Sequence, residues 1–88
     1  MSDPSEAWPA FLSKNASGCL AELPPDIQEL VRDALALAGR APYGWPQWQP
    51  ADPDGADVRI AQVGTVSVVY WVNRLRARLW VLDIVWVG

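Results

Sequence analysis

The stretch TVSVVYWVNRLRARLWVLDIVWVG, residues 65–88, decides the fold class of this chain. It is almost wholly apolar, but Arg74, Arg76 and Arg78 interrupt it at its centre. A membrane-spanning helix needs about 20 consecutive apolar residues, and three charges near its midpoint are very costly. The stretch therefore predicts strands of a sheet, and we expect no membrane association.

Length and composition narrow the class of protein. The chain has 88 residues, of which 51% are hydrophobic and six are tryptophan. This length predicts a single domain over residues 1–88. The one cysteine, Cys19, has no partner for an internal disulfide, and the acidic start of the sequence does not resemble a secretory signal. Both features favour a cytoplasmic location.

Charge is distributed unevenly along the chain. Residues 1–57 carry nine acidic residues against Lys14, Arg32 and Arg40, a balance of −6, and residues 58–88 carry four arginines against one aspartate, a balance of +3. An acidic protein is a poor general nucleic-acid binder, because phosphate affinity requires many basic contacts. The candidate nucleic-acid contacts are therefore local, namely Arg74, Arg76 and Arg78. The alternative is that these arginines only keep a turn soluble.

Two helices are predicted in the first half of the chain. Apolar residues recur at helical spacing over residues 24–38, and a shorter pattern covers residues 15–22. Gly39 is predicted to end the longer helix in a left-handed conformation. The segment AWPAFL, residues 7–12, predicts a short edge strand, and residues 40–57 form a connector rich in proline and tryptophan.

The second half of the chain predicts an antiparallel meander. From Val58 the hydrophobic period becomes two, which gives strands over residues 58–62, 66–72 and 77–87. The expected fold class is α+β, with a short N-terminal strand, two helices and a three-stranded antiparallel meander. The helices are expected to cover one face of the sheet.

The other face of this sheet is predicted to be apolar as well. A two-residue Arg74–Leu75 turn places Asp83 on the helix side with Tyr70, and places Arg78 opposite Trp71, in reach of a cation–π contact. The candidate interface residues on the second face are then Val69, Trp71, Trp80, Leu82 and Trp86. So much apolar surface needs a cover. The loop around Trp45 and Trp48, a second copy of the chain, or another protein could supply it.

The position of Arg59 depends on the turn between the first two meander strands. A two-residue turn at Gly64 places Arg59 beneath the helices, and a three-residue turn places it on the second face beside Arg78. Because arginine is rarely buried without a partner, we expect the three-residue turn.

The element order and three sequence segments resemble the RelE/ParE superfamily of bacterial type II toxins. The segments are LPPDIQELVRDAL (residues 23–35), VRIAQVGTVSVVYWV (58–72) and ARLWVLDIVW (77–86). The resemblance implies a RelE/ParE-like fold and a cognate antitoxin that covers the second sheet face. Ribonucleases of this superfamily cut mRNA on the ribosome with basic residues on the open sheet face, whereas ParE-type members are thought to bind gyrase.

The ribonuclease positions of the superfamily are matched only in part. Tyr70 aligns with the tyrosine of an R-h-h-Y strand (h is hydrophobic), but its arginine falls on Ser67. Arg59 is the only basic residue of the basic strand, and the terminal H-R pair falls on Trp86 and Val87. RNA cleavage needs a base and a group that stabilises the phosphorane charge. The chain contains no histidine.

The sequence therefore favours a toxin-fold protein that acts by binding protein. If the chain is instead an active ribosome-dependent mRNA endoribonuclease, the candidate catalytic residues are Arg59, Tyr70 and Arg78. A third hypothesis is a homodimeric interaction domain that is unrelated to toxins. No cofactor or metal is expected, because the acidic run beginning at Asp52 has Asp57 where a calcium loop needs glycine.

Overall fold

Two helices and a four-stranded sheet form the described part of the chain, residues 7–87 of a computed structural model. The sheet has the strand order β1-β4-β3-β2, in which β1 is parallel to β4 and the other pairs are antiparallel. This confirms the predicted α+β order. The elements are β1 (Ala10–Leu12), α1 (Lys14–Ala21), α2 (Pro25–Arg40), β2 (Val58–Val63), β3 (Val66–Asn73) and β4 (Arg78–Trp86).

Each helix begins at a residue suited to a helix N-terminus, a capping serine for α1 and a proline for α2. The Ser13 hydroxyl accepts a 3.1 Å hydrogen bond from the backbone N–H of Ala16, which satisfies a free donor at the start of α1. Pro25 opens α2, where its missing N–H has no intrahelical role. No helix of residues 7–87 combines the length and the apolar character needed to cross a membrane.

Gly39 has a different role from the predicted one. It lies inside α2 and is buried, so it does not end the helix. A Cβ atom at this position would lie 2.5 Å from the carbonyl oxygen of Trp8, whose own N–H donates a 2.9 Å hydrogen bond to the Gly39 carbonyl. The missing side chain therefore lets the N-terminal segment pack directly on the helix backbone.

The hydrophobic core lies between the two helices and one face of the sheet. Its largest fully buried side chains include Tyr70, Leu79 and Val31. Small residues on the helices, Ala34 and Ala38 among them, have no exposed surface and allow close approach to the strands. The helices thus cover one sheet face, as predicted, and the meander presents the other face outward.

The turn between β2 and β3 has two residues. Val63 pairs with Val66, and Gly64 adopts a φ of 59°, a left-handed conformation that glycine tolerates. Arg59 therefore pairs with Tyr70 and lies on the helix side of the sheet. The prediction of a three-residue turn was wrong, because it assumed that Arg59 would find no partner on that side.

The turn between β3 and β4 is longer than predicted. It has four residues, 74–77. The Asn73 side-chain oxygen accepts a hydrogen bond from the Arg76 N–H, and Ala77 has a φ of 51°. Trp71 consequently pairs with Trp80 rather than with Arg78. The pairing moves by two residues, so side chains near the turn keep their predicted faces.

A β-bulge at Leu82 reverses the faces of the last part of β4. Val69 pairs with Asp83 and Tyr70 pairs with Val81, which leaves Leu82 as the extra residue. Beyond the bulge Asp83 lies on the outward face, and Ile84 and Trp86 lie on the helix side. The prediction was wrong for Asp83, Ile84 and Trp86, and Leu82 is not a regular member of the outward face.

The connector, residues 41–57, runs along the β2 edge of the sheet and does not cover its outward face. The Trp48 N–H donates to the Val58 carbonyl, and the Ile60 N–H donates to the Pro46 carbonyl. Trp45 packs against the core cluster, whereas Trp48 stays 50% exposed. The connector therefore blocks part of the β2 edge and leaves the outward face of the sheet open.

Candidate functional site: the open face of the sheet

A row of large apolar side chains crosses the outward face of the sheet, hereafter the open face. Register pairs Phe11 with Trp80, Trp80 with Trp71, and Trp71 with Val58, so one residue comes from each strand. The three aromatic side chains are 42%, 41% and 40% exposed respectively. We call Phe11, Trp80 and Trp71 the aromatic row. Trp71 and Trp80 were predicted on this face.

Mixed side chains flank the aromatic row on both sides. Toward the β3–β4 turn lie Asn73 and Arg78, and on the other side lie Ile60, Val69 and Asp83. Val69 is 5% exposed but does not belong to the core cluster under the helices, so its neighbours on the open face bury it. The charged strand residues on this face are Arg78 and Asp83.

Arg78 lies at one end of the open face, and its side chain has no hydrogen-bonded or ion-paired partner among the described residues. Its guanidinium carbon is 4.9 Å from the centre of the Phe11 ring, a cation–π distance. The Nε atom is buried and has no hydrogen-bond partner among residues 7–87. The expected contact with Trp71 is therefore replaced by one with Phe11, and an N–H donor remains unsatisfied.

Asp83 lies on the other side of the aromatic row, next to the bulge. The Asn15 side-chain amide donates to Asp83 Oδ1 at 3.1 Å and to the Leu82 carbonyl at 3.2 Å. The Ser13 hydroxyl donates to the same Leu82 carbonyl, and the Ile84 N–H donates to Asp83 Oδ1. Side chains at the start of α1 thus satisfy the polar groups that the bulge releases.

Two of the candidate catalytic residues do not lie on the open face. Tyr70 has no exposed surface, and its hydroxyl donates a 2.7 Å hydrogen bond to the Pro42 carbonyl. Burial raises the pKa of Tyr70 to about 12. Arg59 donates from Nε to the Ala56 carbonyl at 2.9 Å and from Nη1 to the Trp45 carbonyl at 3.0 Å. Both side chains hold the connector in place.

The three arginines around the turn have separate surroundings. Arg74 forms a 3.3 Å ion pair with Asp57, Arg76 is exposed in the turn, and Arg78 lies against Phe11. Their different contacts do not make a single phosphate-binding cluster. An ion pair as exposed as that of Arg74 contributes at most about 1 kcal/mol.

A polar network links the connector to the β3–β4 turn. The Tyr43 hydroxyl donates a 2.6 Å hydrogen bond to Asp57 Oδ1, and the Arg59 guanidinium lies 5.1 Å from the centre of the Tyr43 ring. Burial, together with the Asp57 carboxylate, raises the pKa of Tyr43. Beside this network a shallow cavity of about 440 Å³ extends to the open face, lined by Asp57, Trp71, Val72, Asn73, Arg74 and Leu75.

The acidic part of the connector forms a turn. The Asp52 side chain accepts a 3.0 Å hydrogen bond from the Asp54 N–H, as expected of a turn-forming aspartate. Within residues 7–87, no three His, Cys, Asp or Glu side chains are grouped closely enough to hold a metal ion.

The sequence interpretation missed the contribution of β1 to the open face. Phe11 completes the aromatic row and covers Arg78, and Asn15 satisfies Asp83. The segment AWPAFL was predicted to be a short edge strand because Pro9 lacks a backbone donor, but the parallel pairing with β4 joins residues about 70 positions apart in the chain. No local pattern specifies that pairing, so the row could not be assembled from sequence alone.

The open face is suited to binding large apolar groups. It offers aromatic side chains for packing, one cation with an unsatisfied N–H, and a shallow cavity at its turn end. Arg78 is the one member of the three candidate catalytic residues that lies on it.

Solved structures share this architecture. The isolated RelE toxin of E. coli matches with a TM-score of 0.77 and 14% identity, covering 93% of this chain and 86% of the toxin. The chain has a RelE fold. A chain of the toxin–antitoxin complex RelBE2 from Mycobacterium tuberculosis matches the RelE fold seen here with a TM-score of 0.77 and 19% identity, covering 93% of this chain and 100% of that chain.

The RelE fold is also matched in an archaeal complex. A chain of RelE–RelB from Pyrococcus horikoshii OT3 has a TM-score of 0.62 and 19% identity, with 94% of this chain and 98% of that chain covered. No protein-family model and no curated protein matches the sequence. The RelE fold is therefore established by structural similarity at low sequence identity.

Proposed function

We propose that this chain is a cytoplasmic RelE-fold protein of a toxin–antitoxin system, that it acts by binding protein, and that an antitoxin segment covers its open face. The observation that carries the proposal is the aromatic row, whose side chains are 42%, 41% and 40% exposed. A contiguous apolar surface of this kind is typical of a binding site. Two solved structures with this fold are toxin–antitoxin complexes.

The surroundings of the candidate catalytic residues favour binding over RNA cleavage. Tyr70 is buried and bonded to a backbone carbonyl, and Arg59 donates to two backbone carbonyls. Neither side chain is free to reach a phosphate. Of the three candidate catalytic residues, Arg78 supplies a cation on the open face, whereas cleavage through a 2′-hydroxyl also needs a general base.

The test is induction of the chain in bacterial cells, with growth and mRNA integrity followed together. We expect growth arrest without mRNA cleavage, and relief of the arrest on co-expression of a small protein encoded by the adjacent open reading frame. mRNA cleavage that is lost in Arg78→Ala would favour the endoribonuclease instead. Arrest with inhibited DNA supercoiling would point to gyrase as the target.

The location of the antitoxin surface is tested by matched tryptophan variants. Trp71→Ala and Trp80→Ala remove the centre of the aromatic row, whereas Trp48→Ala removes an exposed tryptophan of the connector. We expect the first two to weaken binding of the co-expressed protein in a pull-down, and the third to leave it unchanged. Equal binding by all three variants would place the antitoxin elsewhere on the fold.

A further inference from the structure

We propose that, in the absence of another protein, two copies of this chain associate through the open face, with Arg78 of each copy paired to Asp83 of the other. The inference is independent of the antitoxin proposed above. It begins from Arg78, a strand residue of the open face whose guanidinium lies against the Phe11 ring and has no carboxylate partner within residues 7–87. A guanidinium beside an exposed apolar surface is suited to a charge-assisted hydrogen bond with a carboxylate of a second molecule.

The second copy can supply that carboxylate because Asp83 lies on the same face. Both described hydrogen bonds to Asp83, from Asn15 and from the Ile84 N–H, end on Oδ1. The other oxygen, Oδ2, accepts no hydrogen bond from the described residues. Among the described residues, the open face therefore presents one cation without a carboxylate partner and one available carboxylate oxygen, both on β4.

The order of these groups along β4 is self-complementary. Arg78 and Asp83 lie on opposite sides of Trp80, about 15 Å apart at the rise of an extended strand. Consider a two-fold axis that lies between the two sheets and runs along the aromatic row. Rotation about this axis reverses the direction of β4 and places the aromatic row of one copy over that of the other. Arg78 of each copy then lies over Asp83 of its partner, as an isologous interface requires.

The distance between the two sheets fits this pairing. Sheets that pack face to face lie about 10 Å apart, a gap that extended arginine and aspartate side chains together can span. The aromatic row fills the centre, where Trp71 and Trp80 of one copy pack against those of the other. The charges then lie on the two sides of the aromatic contact, at positions 78 and 83 of β4.

The size of the face predicts weak association. The four strands have 3, 6, 8 and 9 residues and lie about 4.8 Å apart, which gives a footprint of roughly 400 Å² per copy. Stable interfaces bury about 800 Å² per partner, so this dimer lies at the small end of the range. We therefore expect a dissociation constant on the order of micromolar, and displacement by a partner that binds the same face more tightly.

Sedimentation velocity from about 1 µM to about 200 µM brackets such a constant. The expected result is a shift of the average mass from 9.7 kDa toward twice that value as concentration rises. Arg78→Asp and Asp83→Arg should each abolish the shift, because each places like charges opposite one another. An equimolar mixture of the two variants should restore it, because both contacts are then between opposite charges.

Rescue in the mixture separates charge pairing from a general loss of structure. Asp83→Arg also disturbs the contact with Asn15, so near-ultraviolet circular dichroism must first show a folded variant. If Asp83→Arg is unfolded, Asp83→Asn is used in its place, because the amide oxygen can still accept the hydrogen bond from Asn15. We expect the Asp83→Asn dimer to be at least tenfold weaker than the wild-type dimer. A wild-type chain that stays at 9.7 kDa throughout, or charge variants that dimerise like wild type, would overturn the proposal.

Discussion

The hydroxyl of Tyr70 donates a 2.7 Å hydrogen bond to the carbonyl of Pro42 from a side chain that has no exposed surface. Tyr70 lies in the middle of the sheet, and Pro42 lies at the start of the connector. The bond therefore fixes the path of the chain as it leaves α2. In a ribonuclease this tyrosine would have to meet RNA, whereas here it connects the core to a loop.

Tyr70→Phe should lower the free energy of unfolding by about 1–2 kcal/mol, because it leaves the Pro42 carbonyl without its donor at nearly constant side-chain volume. The measurement is urea unfolding near neutral pH. Tyr43→Phe is the matched control: its hydroxyl bonds to Asp57 at an exposed site, and its loss should cost less than about 0.5 kcal/mol. Equal losses in the two variants would contradict the structural role of the Tyr70–Pro42 bond.

Alkaline pH should destabilise the fold through the same side chain. Burial raises the pKa of Tyr70 to about 12 from its ordinary value of about 10, so folding disfavours the phenolate. The stabilisation is complete below about pH 10 and is lost as pH rises through about pH 12. Between about pH 8 and about pH 11 we expect wild type to lose about 1.4 kcal/mol more than Tyr70→Phe, measured by urea unfolding. Parallel losses would mean that Tyr70 ionises as easily in the folded state as in the unfolded state.

Gly39→Ala should destabilise the protein although alanine is the better helix former. The new Cβ would meet the Trp8 carbonyl oxygen at 2.5 Å, which forces the N-terminal segment away from α2 at a cost of about 1–3 kcal/mol. Gly18→Ala in α1 is the control, because nothing lies within 4 Å of its new Cβ. That change should stabilise the protein by about 0.5–1 kcal/mol. Thermal unfolding of both variants tests the contrast, and stabilisation by Gly39→Ala would contradict it.

Arg59→Lys should loosen the connector. The guanidinium donates to the Ala56 and Trp45 carbonyls at once, and an ammonium group cannot reproduce that fork. We expect chymotrypsin to cut the connector several-fold faster after Tyr43 or Trp48, with initial rates compared by mass spectrometry. Arg32→Lys on the exposed side of α2 is the control and should leave the rate unchanged. An unchanged rate in Arg59→Lys would show that other contacts hold the connector.

Trp80→Ala should weaken association more than folding. The side chain is 41% exposed on the open face, so we expect a loss of less than about 2 kcal/mol in unfolding free energy but at least tenfold in affinity for the antitoxin or a second copy. Leu79→Ala is the contrasting variant: its side chain has no exposed surface and faces the helices, and its removal should cost about 2–5 kcal/mol. Unfolding and binding are measured for both variants. Comparable effects of Trp80→Ala on folding and on association would show that Trp80 is an ordinary core residue.

Local sequence patterns determined the elements and the existence of two apolar sheet faces. Helical spacing placed α2, alternation placed the meander strands, and Trp71 and Trp80 were assigned to the outward face correctly. That assignment survived an error in the turn, because a shift of two residues preserves the side on which a strand residue points. Periodicity is a property of neighbouring residues, so it can be read without knowing the tertiary structure.

Tertiary contacts determined the features of the sheet that hydrophobic periodicity does not predict. The bulge at Leu82 places Asp83 on the open face and Trp86 on the helix side of the sheet. It is stabilised because side chains at the start of α1 donate to the Leu82 carbonyl that the bulge leaves free. Arg59 remained on the helix side because carbonyls of the connector accept its hydrogen bonds. In each case the partner is distant in sequence or belongs to an irregular loop. The presence of Phe11 and Asp83 on the open face therefore follows from the tertiary structure alone.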